Sequence, residues 1–159
     1  MAEYSKEIRK KVGTGKILIP GTACILLNER DEILLQLRSS NRKWGCPGGL
    51  MDIGETVIES LKREVFEETN LTIENPVLLG IYSGTTFEGK YPDGNEIASV
   101  LMAFIVREFS GELRCDEESL EMKFFNVREL SRNLHPHHGP YLHDFKKWLL
   151  KEIDIPVVF

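Results

Sequence analysis

Cysteine, long apolar runs and surplus positive charge are all in short supply in this chain of 159 residues. Its three cysteines, Cys24, Cys46 and Cys115, are odd in number and widely spaced, which excludes a disulfide framework and a spaced zinc site. A reduced, cytoplasmic setting is expected. No apolar stretch approaches the length of a membrane span, and the opening MAEYSKEIRKKVG lacks the apolar core of a signal peptide, so no membrane partner is expected. Lysine and arginine number 20 against 25 aspartates and glutamates, a net charge of −5. That balance argues against a sequence-independent binder of nucleic-acid polymer, which needs a basic stripe. An anionic substrate must instead meet local positive charge, from a metal or from particular Arg and Lys. Internal repeats and low-complexity segments are also missing. What remains is ordinary globular composition, 42% hydrophobic and 28% charged, in a chain long enough to bury a core unaided. Residues 1–159 are read as a single domain with 1–16 as an N-terminal extension.

Residues 4–12 could form one or two helical turns with Tyr4, Ile8 and Val12 on one side. Gly13-Thr-Gly-Lys16 is not a phosphate loop, because Lys10 stands where its first glycine belongs and Ile17 where Ser or Thr belongs. Residues 22–27 and 33–38 read as strands joined by a turn at 28–31, an expected hairpin. Gln36 and Arg38 lie where the second strand runs toward an acidic segment, which makes Arg38 a candidate phosphate or base contact. Trp44-Gly-Cys-Pro-Gly-Gly49 crowds glycine and proline where backbone bends tightly or approaches something closely. Trp44 reads as a packing residue, and Cys46 lacks a neighbouring base that would make it a nucleophile.

Further on, 76–82 and 98–106 read as strands, the latter buried. Tyr91-Pro-Asp-Gly-Asn95 is a turn suited to substrate recognition, where Phe87 and Tyr91 either stack on a base or pack. Residues 115–121 form an acidic loop ahead of a short strand at 122–125. His135-Pro-His-His138 has no spaced partner ligands and reads as a polar loop rather than a metal tract. Tyr141, Leu142, Phe145, Trp148 and Leu149 keep helical period, predicting a packing helix from Pro140 that Pro156 ends. The apolar tail 155–159 would tuck against the fold or a partner subunit, and with the N-terminal segment it suits a homodimer.

The chain's most unusual stretch is GLMDIGETVIESLKREVFEETNL, residues 49–71. Thr56 and Glu59 form a capping-box pair, and Val57, Leu61 and Val65 make an apolar stripe every fourth residue. Beside that stripe, Glu64, Glu67 and Glu68 fall at i, i+3 and i+4, on one helical face. Two unit charges about 5 Å apart repel by roughly 3 kcal/mol at an effective dielectric near 20. Acidic runs on helices are usually solvated surface. A divalent cation would instead turn the repulsion into attraction, and an all-oxygen set suits Mg²⁺ or Mn²⁺ better than zinc. Arg63 is placed to pair with Glu67 and to orient carboxylates, and Glu55 could reach the same group.

The spacing Gly49, Glu55, Arg63-Glu64, Val65, Glu67-Glu68 and Leu71 decides between those readings. The six of fixed identity, Gly49, Glu55, Arg63, Glu64, Glu67 and Glu68, coincide by accident roughly once in ten million windows. The stretch resembles the Nudix box, G-x5-E-x7-R-E-U-x-E-E-x-G-U with U aliphatic, and departs only at Asn70, where the box has glycine. Asn tolerates the left-handed conformation of a helix end, so the departure is mild. The resemblance implies an α/β fold over about residues 17–150: a Nudix-type α/β/α sandwich with a mixed sheet, the box helix and a C-terminal packing helix. It implies a hydrolase that cleaves a pyrophosphate bond in a nucleoside diphosphate linked to another moiety, such as a nucleoside triphosphate, dinucleotide or nucleotide sugar. Glu64, Glu67 and Glu68 would hold Mg²⁺ (or Mn²⁺), with the Gly49 carbonyl in the same shell. Glu64 or one of Glu117, Glu118 and Glu121 would act as base. Three other readings stay open: a prenyl-diphosphate isomerase of the same fold, a module that binds nucleotide without cleaving it, and a glutamate helix that serves as a protein-interaction surface with no chemistry. ADP-ribose hydrolases of the family often carry a proline fifteen or sixteen residues past the box, where Thr86 and Phe87 stand here, which counts against ADP-ribose.

Overall fold

A computed structural model describes residues 3–91, 93–130 and 133–158. Strand β1 (Ile17–Leu26) is buried on both faces along its second half, and the layers form around it. It pairs in parallel along its whole length with β7 (Glu96–Val106), from Ile17 opposite Ile97 to Leu26 opposite Val106. The other edge of β7 takes β5 (Val77–Tyr82) and β6 (Glu88–Lys90), both antiparallel. The tail strand β10 (Val157–Val158) joins β5 in parallel, giving a mixed sheet of order β1-β7-β5-β10. In a second sheet, β2 (Glu32–Arg38) lies between β3 (Trp44–Gly45) and β9 (Ser119–Asn126). A small ladder joins β4 (Leu71–Glu74) to β8 (Glu108–Gly111).

Helices cover both sides. Besides the N-terminal α1 (Glu3–Val12), these are α2 (Val57–Thr69) and α3 (Gly139–Leu149). Leu61 and Val65 of α2 are wholly buried with Cys24, Leu26, Leu34, Phe104 and Val106. Tyr141, Leu142 and Phe145 of α3 pack instead with Ala23, Ile25, Leu35 and Ile105. Alternate residues of β1 therefore feed two cores, as the period of two in a strand requires. This is the expected α/β/α sandwich. Helix α2 starts and stops where its residues dictate: Thr56 and Glu59 complete a capping box, and Asn70 ends the helix in the left-handed conformation, φ 60°.

The expected hairpin of the first two strands does not form. Past the Asn28 turn they share one isolated bridge, Leu27 with Ile33, and diverge into separate sheets. A strand apolar on both faces is better satisfied in a sheet interior covered on both sides than in an isolated pair. The N-terminal segment is a ten-residue helix rather than a turn or two. Its Tyr4 N–H donates to Asp52 Oδ1 at 2.7 Å, and Arg9 donates to the carbonyls of Gly15, at 2.6 Å, and Glu96. The 91–95 turn closes with Tyr91 N–H on the Asn95 carbonyl at 2.8 Å. Pro92 of that turn and Phe159 of the tail lie outside the described residues.

The Gly-Pro loop is stitched to β1, which accounts for its composition. Cys24 N–H donates to the Pro47 carbonyl and Thr22 N–H to that of Gly49, both at 2.8 Å. Gly48, between them, has φ +140°, and a Cβ there would strike the Thr22 carbonyl oxygen and lie 2.8 Å from Ala23 Cα. From below, Cys46 N–H donates to Nδ1 of His138 at 3.0 Å, and the Tyr141 hydroxyl meets the same nitrogen. His138 is thus half-buried, with its ring turned in against Gly45 and the Cys46 N–H rather than out into a polar loop. Burial, then His135 and Arg38, drives its pKa well below the ordinary value. Burial likewise pushes the Cys46 thiol up to about 12, so it is inert.

Gly48→Ala combines backbone strain with collision and is expected to cost roughly 2–5 kcal/mol in urea unfolding. His138 is held neutral when folded and titrates normally when unfolded. The stability it confers is therefore complete above pH about 6.5 and lost as pH falls below it, at about 1.4 kcal/mol per pH unit. His138→Asn, which keeps an acceptor for Cys46, should be less stable at pH 7 but show a shallower decline between pH 6.5 and 5. Parallel declines would exclude His138 as the source.

Candidate active site

The C-terminal half of α2 turns two carboxylates inward. Glu64 and Glu68, one helical turn apart, are only 8% and 6% exposed, whereas Glu67 faces solvent. Glu64 lies against Gly49 so closely that a Cβ there would come within 2.5 Å of the carboxyl carbon. On Glu68, Oε2 accepts the Gly48 N–H at 2.7 Å and Gln36 Nε2–H at 2.9 Å. Its Oε1 stands 3.7 Å from the Arg38 guanidinium. Burial raises the pKa of Glu64 against the pull of Arg63, and pushes that of Glu68 up to about 7 despite Arg38 and the Gly48 N–H.

Arg63 ties helix to loop. It donates through Nε and Nη2 to Glu55, through Nη1 to Glu64 Oε1 at 2.8 Å and Glu67 Oε2 at 3.2 Å, and through Nη2 to the Leu50 carbonyl at 3.1 Å. Glu55 also accepts the Asp52 N–H at 2.8 Å. The Arg63 hydrogen bond, aided by that N–H, holds the Glu55 carboxyl down at about 2. Glu55 is thus a permanently charged brace, while Glu64 and Glu68 sit where an uncompensated second charge is unwelcome. Such a pair can hold a proton or a hard cation.

The three glutamates do not converge as the helical spacing alone predicts. Among the described residues no three His, Cys, Asp or Glu side chains stand together as a ready metal group. The physical reason lies in a competing donor, since Arg63 draws Glu67 to the rim, while the Gly48 N–H and Gln36 engage only Oε2 of Glu68. The oxygen-only donor set beside a glycine cradle nevertheless fits Mg²⁺ or Mn²⁺. The Gly49 carbonyl oxygen already accepts from Thr22 N–H, leaving its second lone pair for any further ligand.

Arg38 bridges toward Glu118, whose Oε2 is 3.9 Å away, so Glu118 stands beside Glu68 at the mouth of the site. Glu117 is exposed in the loop, and Glu121 in β9 is 3.4 Å from Lys123. Phe87 is only 3% exposed and packs near Tyr82 and His137, so it has a core role and no open face for a base. Tyr91 is exposed and lines a shallow recess with Arg9, Leu50 and Asn95. Sequence reasoning missed the role of Gln36. Its place on the same face of β2 as Arg38 was the available signal, but the partner Ser119 lies 83 residues away.

Known proteins are consistent with this geometry. The chain is 36% identical over 152 residues to an ADP-ribose pyrophosphatase of Methanocaldococcus jannaschii, covering 91% of this chain and 86% of that protein. A human 8-oxo-dGDP phosphatase is 32% identical over 71% of this chain, which spans 34% of that protein. Among solved structures, a MutT NUDIX hydrolase from Burkholderia pseudomallei superposes with a TM-score of 0.70 at 24% identity, over 80% of this chain and 98% of that one. The model of the NUDIX domain matches residues 18–145. The loop, the caps and the carboxylates of α2 all fall within that match, and the chain belongs to the NUDIX family as a pyrophosphohydrolase.

Proposed function

We propose that this hydrolase, in the presence of Mg²⁺ or Mn²⁺, cleaves the pyrophosphate bond of a nucleoside diphosphate joined to a second moiety. The observation that carries the reading is the pair of buried carboxylates, Glu64 and Glu68, pressed against Gly48 and Gly49 and braced by Arg63. Glu64 and Glu68, with Glu67 swinging from its exposed ion pair, would hold the cation together with a loop carbonyl such as that of Gly49. The cation supplies charge neutralisation at the phosphates and a more acidic water. The protein's own contribution is placement: Arg38 meets phosphate, and Glu64 or Glu118 accepts the proton of the attacking water. Glu117 and Glu121 are weaker choices for that base, because neither reaches Arg38 or the carboxylate pair in the contacts described.

The substrate we favour is ADP-ribose, ahead of oxidised nucleoside diphosphates and triphosphates. The Methanocaldococcus relative named for ADP-ribose is similar over nearly the whole chain, which outweighs the missing proline at Thr86-Phe87. The free thiols of Cys24 and Cys46 sit comfortably in a cytoplasmic setting, and no helix of the described residues is long and apolar enough to cross a membrane. Residues 1–159 work as one domain, with the extension docked through Tyr4 and Arg9.

Purified protein with Mg²⁺ should convert ADP-ribose to AMP and ribose 5-phosphate, faster than it acts on dinucleotides, nucleotide sugars or 8-oxo-dGDP. Chelation with EDTA should stop turnover. Glu67→Gln is exposed and should keep its melting temperature within a few degrees while losing at least about 100-fold in kcat, and Gly49→Ala should lose turnover by crowding Glu64 and lower the melting temperature as well. Saturable nucleotide binding without turnover, or isomerisation of a prenyl diphosphate, would overturn the proposal.

A further inference from the structure

A polar chain buried beneath the carboxylates takes no direct part in the proposed reaction. Ser119 Oγ–H donates to Gln36 Oε1 at 2.8 Å, and Gln36 Nε2–H donates to Glu68 Oε2 at 2.9 Å. Gln36 is 1% exposed and sits in the second sheet, on the face that packs beneath α2. A buried amide there needs a reason, since an aliphatic residue would pack at no polar cost. The two ends of an amide have nearly the same shape, and their partners decide which way it points. An ionised Glu68 only accepts, so Gln36 must show it the NH₂ end. A flip would set the Gln36 oxygen against the Glu68 oxygen, so Glu68 fixes the amide's orientation, and Ser119 anchors the opposite end in place.

The sheet is locally irregular where it delivers this serine. Leu37 faces Glu121, but the next pair is Arg38 with Ser119, so Leu120 is skipped. A regular register would place Leu120 opposite Arg38, on the face shared by Gln36. The bulge turns Leu120 outward, where it is 51% exposed, and brings Ser119 onto that face instead. With Gln36 and the Gly48 N–H both on Oε2, the other oxygen of Glu68 faces Arg38 alone among the contacts described for it.

We propose that Gln36, anchored by Ser119, is a positioning residue that commits Oε2 of Glu68 to the fold and reserves Oε1 for the divalent cation. The inference rests on the cation-dependent reading of the same site. The outer partner of a metal ligand sets its orientation, and losing it typically weakens metal binding about 10- to 100-fold. Ser119 acts one bond further out, so its removal has a smaller effect in the same direction.

Mn²⁺ binding to the full chain, followed by electron paramagnetic resonance without substrate, tests this apart from turnover. Gln36→Leu should weaken Mn²⁺ binding by about 10-fold or more. Ser119→Ala should weaken it several-fold, and Ser119→Thr, which keeps the hydroxyl, should restore it. In a Glu68→Gln background, Gln36→Leu should add no further loss. The Mn²⁺ concentration for half-maximal activity should rise in parallel, with the substrate KM at saturating metal nearly unchanged. A folded Gln36→Leu protein with wild-type Mn²⁺ affinity would overturn the inference. So would equal losses from Gln36→Leu in the wild-type and Glu68→Gln backgrounds. If Gln36→Leu does not fold, wild-type affinity in Ser119→Ala overturns it. Wild-type protein that binds no Mn²⁺ and cleaves no phosphoanhydride would refute the proposed function itself. Wild-type binding and turnover with an indifferent Gln36 would refute only the positioning role.

Discussion

Removing two neighbouring carboxylates from water on one helical turn is the constraint around which this structure is organised. Glu64 and Glu68 have lost most of their hydration, and burial is the leading cause of the upward shift in both pKa values. A lone buried carboxylate would be neutralised by a proton. Here the surroundings supply partial compensation instead: an arginine for Glu64, and for Glu68 a backbone N–H, an amide and a more distant arginine. Compensation is incomplete, and burial still pushes the Glu68 carboxyl up to about 7. A site in that condition would gain from binding a compact positive charge, as the proposed reaction requires.

The fold can be understood as the means of keeping those two groups close to one glycine loop. The loop is fixed to β1 by two backbone hydrogen bonds, and β1 is fixed by its full-length pairing with β7. The helix is fixed over the same strand by Leu61 and Val65. Between loop and helix only glycine fits, because side-chain volume at Gly48 would meet β1 and at Gly49 would meet Glu64. Packing tolerances in protein interiors are a fraction of a methyl group, so the separation of loop and carboxylates is set by close contact on both sides. The second sheet closes the arrangement from beneath with Gln36 and Arg38.

Much of this was legible in the sequence because it is local. The capping box, the left-handed Asn70, the apolar stripe of α2 and the Arg63 brace all involve residues within a few turns of one another, and helical geometry relates them directly. The three-layer fold followed from the same stretch by resemblance. What failed was long-range. The 22–27 and 33–38 segments read as a hairpin because adjacency in sequence is the only pairing signal there, yet β1 takes a partner some 80 residues away. Phe87 looks like a surface aromatic in sequence and His138 like a loop residue, and only the fold buries the one in the core and sets the other, half-buried, under the Cys46 N–H. The bulge that selects Ser119 over Leu120 leaves no trace in composition or periodicity.

The two arginines near the carboxylates have different work, and their bond geometry separates it. Arg63 spends its guanidinium on Glu55, Glu64, Glu67 and the Leu50 carbonyl, with several contacts at ordinary hydrogen-bond length. Freeing it for a substrate would release Glu55 and the loop with it, so its charge is already committed to the scaffold. Arg38 touches Glu68 and Glu118 at 3.7 and 3.9 Å, ion pairs too long to be well-formed hydrogen bonds. Such a guanidinium can turn from carboxylate to phosphate at little cost, since its planar fork matches both. A cation taking up the charge of Glu68 would loosen Arg38 further and leave it facing the mouth of the site. In the proposed reaction, metal capture and phosphate capture are therefore coupled through one carboxylate, and Arg38 is the residue through which an anionic substrate finds positive charge on an otherwise acidic protein.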